Sequence, residues 1–114
     1  MNFNVGLALY DDDVETFVSV LKSFLINGPD SVKSLKISIA TKDKDSYIIA
    51  HGLKGITASI GAEKLSAHFR ELELLLRDKK FEESHVAYNA AIEEYRKAIV
   101  EINEYIQKNE ITEL

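Results

Sequence analysis

Apolar residues recur along this chain at three- and four-residue intervals, the period of a helix face. Residues 5–10 read as a short helical turn, after which Asp11, Asp12 and Asp13 supply an N-cap and first-turn negative charge. From Val14 the stripe Phe17, Val18, Leu21, Phe24 and Leu25 defines a helix that Asn27, Gly28 and Pro29 are expected to end. Asp30 or Ser31 then caps another, with Val32, Leu35 and Ile39 inward and an end near Thr41, before a polar connection over 42–46. A further long helix starts near Asp45 and stops at Gly61. Residues 62–64 open the next, lined by Leu65, Phe69, Leu72 and Leu76 and closing on a basic run that suits the helix dipole. The last spans about 82–108, with Tyr88, Ala91, Ile92, Tyr95, Ile99, Ile102 and Ile106 inward. No segment reads as a strand. The pattern predicts an all-α fold: an antiparallel up-and-down four-helix bundle with one or two additional N-terminal helices, in a single domain over 1–114.

Composition narrows the possibilities. At 114 residues with 46% apolar content, one core forms without metal or disulfide staples, and the absence of cysteine excludes a disulfide framework and a thiolate zinc site. A net charge of −5 with mixed signs argues against nucleic acid, which needs a clustered basic surface. No apolar run is long enough to span a bilayer, and no signal-peptide pattern opens the chain. A cytoplasmic monomer without membrane contact is the expectation.

The candidate chemistry lies in the helix that carries His51. At about 100° per residue, Ile49, Leu53, Ile56 and Ile60 cluster opposite His51 and form the expected core stripe. Beside His51 fall Tyr47, Ile48, Lys54, Gly55 and Ala58, with Ser59 slightly further round. A glycine inside a helix costs about 1 kcal/mol relative to alanine. At Gly55, one turn beyond His51, that cost leaves the imidazole open to an incoming surface. Lys54 can offset a negative charge carried on the ring, and Tyr47 and Ile48, wasteful on a solvated face, suit a docking patch. A single helical histidine is ordinarily a surface or packing residue. The convergence of an open turn, a cation and small neighbours is what points to an imidazole that another protein approaches.

These residues resemble the histidine-containing phosphotransfer (HPt) family of phosphorelays. The family motif places Leu, Lys and Gly two, three and four positions after the phosphorylated histidine, followed by small residues and a Gly-Ala pair. Here those are His51, Leu53, Lys54, Gly55, Ala58, Ser59, Gly61 and Ala62. The likeness continues through Leu65, Arg70, Glu71, Leu72 and Glu73, and upstream through Gly6, Leu7, Asp12, Asp13, Phe17, Leu21 and Phe24. Ile56 and Thr57 depart from the Ser or Ala usual there, and Gly52 is an unusual neighbour for the histidine. The resemblance implies a phosphoryl carrier rather than an enzyme. His51 accepts the group from a receiver-domain phospho-aspartate, of a response regulator or a hybrid sensor histidine kinase, and passes it to another receiver. It implies reaction at Nε2. Lys54 would compensate the phosphoryl charge, with Tyr47, Ile48, Gly55, Ala58 and Ser59 serving receiver docking and access. Glu71 and Glu73 are the candidates to hydrogen-bond the other ring nitrogen. The chain has no glycine-rich nucleotide loop, so no cofactor of its own is expected and Mg²⁺ is expected on the partner receiver.

Other readings fit less well. A sensor kinase's dimerisation helix follows its histidine with an acidic residue and shortly a proline, which this chain lacks. A phosphotransfer (P1-like) domain of a chemotaxis-type kinase shares the His, Lys and Gly arrangement, but commonly carries a second histidine about where Arg70 stands here. A non-catalytic helical interaction bundle leaves Gly55, Tyr47 and Ile48 without a reason. Metal binding by His51, His68 and His85 is disfavoured by their wide spacing.

Overall fold

A computed structural model describes residues 1–111. The chain forms five helices: α1 (Phe3–Ala8), α2 (Val14–Ala40), α3 (Ser46–Ser59), α4 (Glu63–Arg77) and α5 (Phe81–Ile111). No strand occurs among the described residues. Helix α2 packs on α3 and α5, α4 packs on the same two, and α1 lies against α2. The molecule measures 49 × 20 × 18 Å. Its length follows from α5, whose 31 residues span about 46 Å at 1.5 Å per residue.

The helix starts and stops follow local chemistry. Asp13 caps α2, its carboxylate accepting from the Thr16 N–H at 3.3 Å and from Thr16 Oγ1 at 2.8 Å. Gly61, at φ +80°, ends α3 in a Schellman turn: its N–H donates to the Ala58 carbonyl and the Ala62 N–H to that of Thr57. A Cβ at Gly61 would lie 2.5 Å from the Asn2 carbonyl oxygen, and one at Gly6 equally near that of Ile60. Two glycines thus let α1 sit directly on the α3–α4 turn.

The stop expected at Asn27, Gly28 and Pro29 does not occur; α2 runs through all three. Neither Asp30 nor Ser31 caps a new helix, and the Ser31 hydroxyl donates to the Asn27 carbonyl within α2. Proline inside a helix costs about 3 kcal/mol. Leu21, Phe24, Val32, Leu35 and Ile39 form one buried stripe across it, each contributing about 1.5–3 kcal/mol, so burial on both sides outweighs the local cost. Gly28 faces inward beneath Tyr95, whose hydroxyl would lie 3.1 Å from a Cβ there. Pro29 faces out. One short N-terminal helix therefore precedes four long ones.

The core stripe of α3 also differs from expectation. Ser46, Ala50, Leu53, Thr57 and Ile60 are buried, Ile49 is half-buried, and Ile56 is exposed. Hydrophobicity favours the isoleucines, but α3 packs between two helices, where small residues allow close approach. Thr57 tolerates burial because its hydroxyl donates to the Leu53 carbonyl at 2.7 Å. From α4, Ser66 Oγ donates to the Lys54 carbonyl at 2.9 Å. This rotation turns His51, Lys54 and Tyr47 towards α4, leaves Gly55 pointing outward, and places Gly52 and Ile56 on the α2 side.

Candidate functional site

Glu73 organises the site. It follows Leu72 on α4 and stands on the inward face between Phe69 and Leu76, with only 6% of its surface exposed. Three cationic or hydrogen-bonding groups converge on its carboxylate. His51 Nδ1 lies 2.7 Å from Oε1, Lys54 Nζ 3.1 Å from the same oxygen, and Arg77 Nε 3.1 Å from Oε2. Burial pushes the Glu73 carboxyl upward, but the hydrogen bonds from His51, Lys54 and Arg77 together outweigh it and hold the group down at about 2. Glu73 is therefore ionised at neutral pH.

An ionised carboxylate only accepts hydrogen bonds. The ring nitrogen facing it must carry the proton, so Nδ1–H donates to Glu73. In the neutral ring the lone pair is then on Nε2. The His51 side chain is 59% exposed, so one edge of the imidazole is anchored while the ring remains accessible.

The remaining candidates take distinct places. Glu71 is exposed; Glu73 is the glutamate that hydrogen-bonds the ring. The sequence signal that separates them is register, since Glu73 lies four residues after Phe69 and three before Leu76, whereas Glu71 falls between the stripe's turns. Lys54 is on the anchored side of the imidazole. Ile48 is exposed. Tyr47, expected to be exposed, is half-buried, with the Arg77 guanidinium 4.5 Å from its ring centroid. Ala58 is exposed near the end of α3. Ser59 is half-buried; its hydroxyl donates to the Ile56 carbonyl and its own carbonyl accepts from Tyr10 Oη.

Gly52 and Gly55 differ from the other three glycines. A Cβ at either would meet nothing within 4 Å, whereas Gly6, Gly28 and Gly61 all oppose close neighbours. Backbone packing excludes a side chain at Gly6 and Gly61, and space is tight at Gly28, but nothing in the packing calls for glycine at the two positions that follow His51. Arg77 is the residue that sequence reasoning missed at this site. Its signal was present as a Glu–Arg pair at i, i+4.

His68 and His85 lie on α4 and α5, half-buried and exposed respectively. No group of three or more His, Cys, Asp or Glu among the described residues is placed to hold a metal ion. No described helix is long and apolar enough to cross a membrane. Comparison of the chain with protein-family models, with curated proteins and with solved structures finds no match.

Proposed function

We propose that this chain is a histidine phosphotransfer module, in which His51 Nε2 carries a phosphoryl group between receiver-domain aspartates. The observation that carries the reading is an exposed imidazole whose Nδ1–H is tied to a buried, ionised Glu73. In the forward step the Nε2 lone pair attacks phosphorus, the bond from phosphorus to the aspartyl oxygen breaks, and the aspartate leaves as carboxylate. The ring acquires positive charge as the N–P bond forms, and the adjacent Glu73 carboxylate stabilises it. Transfer to the second receiver reverses these bond changes.

Phosphoryl transfer depends on positioning and charge stabilisation more than on covalent chemistry by the protein. The receiver would supply Mg²⁺ and the acidic pocket. Lys54, whose flexible stem ends beside the ring, would turn from Glu73 to the phosphoryl oxygens. Gly52 and Gly55 would leave room for the receiver, with Ile48 in the docking patch.

The same reading includes an antiparallel up-and-down bundle of α2–α5 with α1 across one end. Short connections, the packing of each long helix on the next, and the closing contact of α5 on α2 support it. On α3 and α4, Tyr47 pairs with Arg77, His51 with Glu73 and the Lys54 carbonyl with Ser66, so numbering rises on one helix as it falls on the other. The test is incubation with a phosphorylated receiver and Mg²⁺. Wild type should acquire acid-labile, base-stable label and His51→Gln none; labelling of the variant would exclude His51 as the carrier.

A further inference from the structure

Arg77 closes a four-residue frame around the candidate nucleophile. On α3, Tyr47 lies one helical turn before His51; on α4, Arg77 lies one turn after Glu73. His51 bonds Glu73 across the helix pair, and Arg77 lies over the Tyr47 ring while its Nε bonds Glu73 Oε2. A glutamate carboxylate turns easily about its last torsion. At Oε1 its partners are the exposed His51 ring and Lys54 Nζ. Arg77 is held on two sides, by charge-assisted hydrogen bonding and by cation–π contact.

We propose that Arg77 is a positioning residue for His51: braced against Tyr47, it fixes the Glu73 carboxylate in the orientation that keeps the ring proton on Nδ1 and the lone pair on Nε2. Tyr47 thereby belongs to the scaffold of the site. The transfer consequence rests on the phosphotransfer reading, whereas the tautomer consequence does not.

The test uses the full chain labelled with ¹⁵N and reads the His51 tautomer from two-bond nitrogen–proton correlations in the neutral ring. Wild type should show the Nδ1–H form. Arg77→Ala should lower the ratio of that form to the Nε2–H form about 2- to 5-fold, equivalent to about 0.5–1 kcal/mol. Tyr47→Ala should act in the same direction, and Tyr47→Phe, which keeps the ring face, should match wild type. Circular dichroism checks that each variant is folded. Because Arg77 acts through Glu73, Arg77→Ala should change nothing further in a Glu73→Gln background. A wild-type tautomer ratio in Arg77→Ala, or an undiminished effect in the Glu73→Gln background, would overturn the proposal. Phosphoryl transfer from a receiver should slow in Arg77→Ala in proportion to the fraction of the Nδ1–H form lost, and so by no more than this 2- to 5-fold factor. If wild type takes no label at all, the phosphotransfer reading fails while the tautomer ratios still decide the role of Arg77.

Discussion

Replacing Gly55 separates what the fold needs from what a partner needs. Gly55 is in the interior of α3, and a Cβ added there meets nothing within 4 Å. Alanine therefore removes the unfolded-state entropy of glycine without strain and should stabilise the protein by about 0.8–1 kcal/mol. Gly52 is open in the same way, so the double variant Gly52→Ala/Gly55→Ala should gain about 1.5–2 kcal/mol. For a chain of this length that raises Tm by about 6–8 °C. Helical side chains lean towards the N-terminus and cover the preceding turn. Leucine at 55 would thus lie over His51 while keeping most of the helix-propensity gain. Against a docked surface, added bulk of that kind costs about 1–3 kcal/mol, a slowing of transfer by about 5- to 150-fold. The assay pairs thermal unfolding with transfer from a phosphorylated receiver, followed through the loss of receiver label. More stable variants with slower transfer are expected. A Gly55→Leu protein that is folded and transfers at the wild-type rate refutes the access argument, and alanine variants with unchanged Tm refute the energetic one.

Glu73 should make stability pH-dependent. Its folded pKa of about 2 lies below the ordinary glutamate value of 4.5, so its contribution is fully present above pH 4.5 and is lost as pH falls towards 2; the full shift corresponds to about 3 kcal/mol. Denaturant titrations across that window should show the loss in wild type, with a smaller slope in Glu73→Gln. Lys42 and Lys79 end α2 and α4 at φ 54° and 56°, so glycine at each should raise stability by up to about 1 kcal/mol, read as a shift in denaturant midpoint. Gly61→Ala should do the reverse, costing more than about 2 kcal/mol, because it combines a left-handed φ with a Cβ only 2.5 Å from the Asn2 carbonyl oxygen; a smaller loss would mean that α1 docks loosely. Lys54→Ala is expected to slow transfer or shorten the lifetime of the phosphohistidine, measured as label decay.

Local signals read well where one interaction decides the outcome. Asp13 caps α2, Gly61 ends α3, and the stripe Leu65, Phe69, Leu72 and Leu76 is buried as its spacing requires. They fail where separate terms compete. Pro29 carries a strong local stop, but apolar residues on both sides of it are buried by α3 and α5, and α2 continues. Ile56 outranks Thr57 in hydrophobicity, yet Thr57 is inside and Ile56 outside, because helix spacing favours the smaller side chain whose hydroxyl can bond its own helix.

The all-helical character, the approximate ends of α3, α4 and α5, and the exposure of His51 on its helix follow from the sequence alone, since periodicity and capping act within a few residues. The rotation of α3, the choice of Glu73 over Glu71, the covering of Tyr47 by Arg77 and the resulting proton on Nδ1 belong to the tertiary structure. Each depends on which residues of two different helices meet. That pairing is set by the fit of small and large side chains between helices, a quantity no single helix contains.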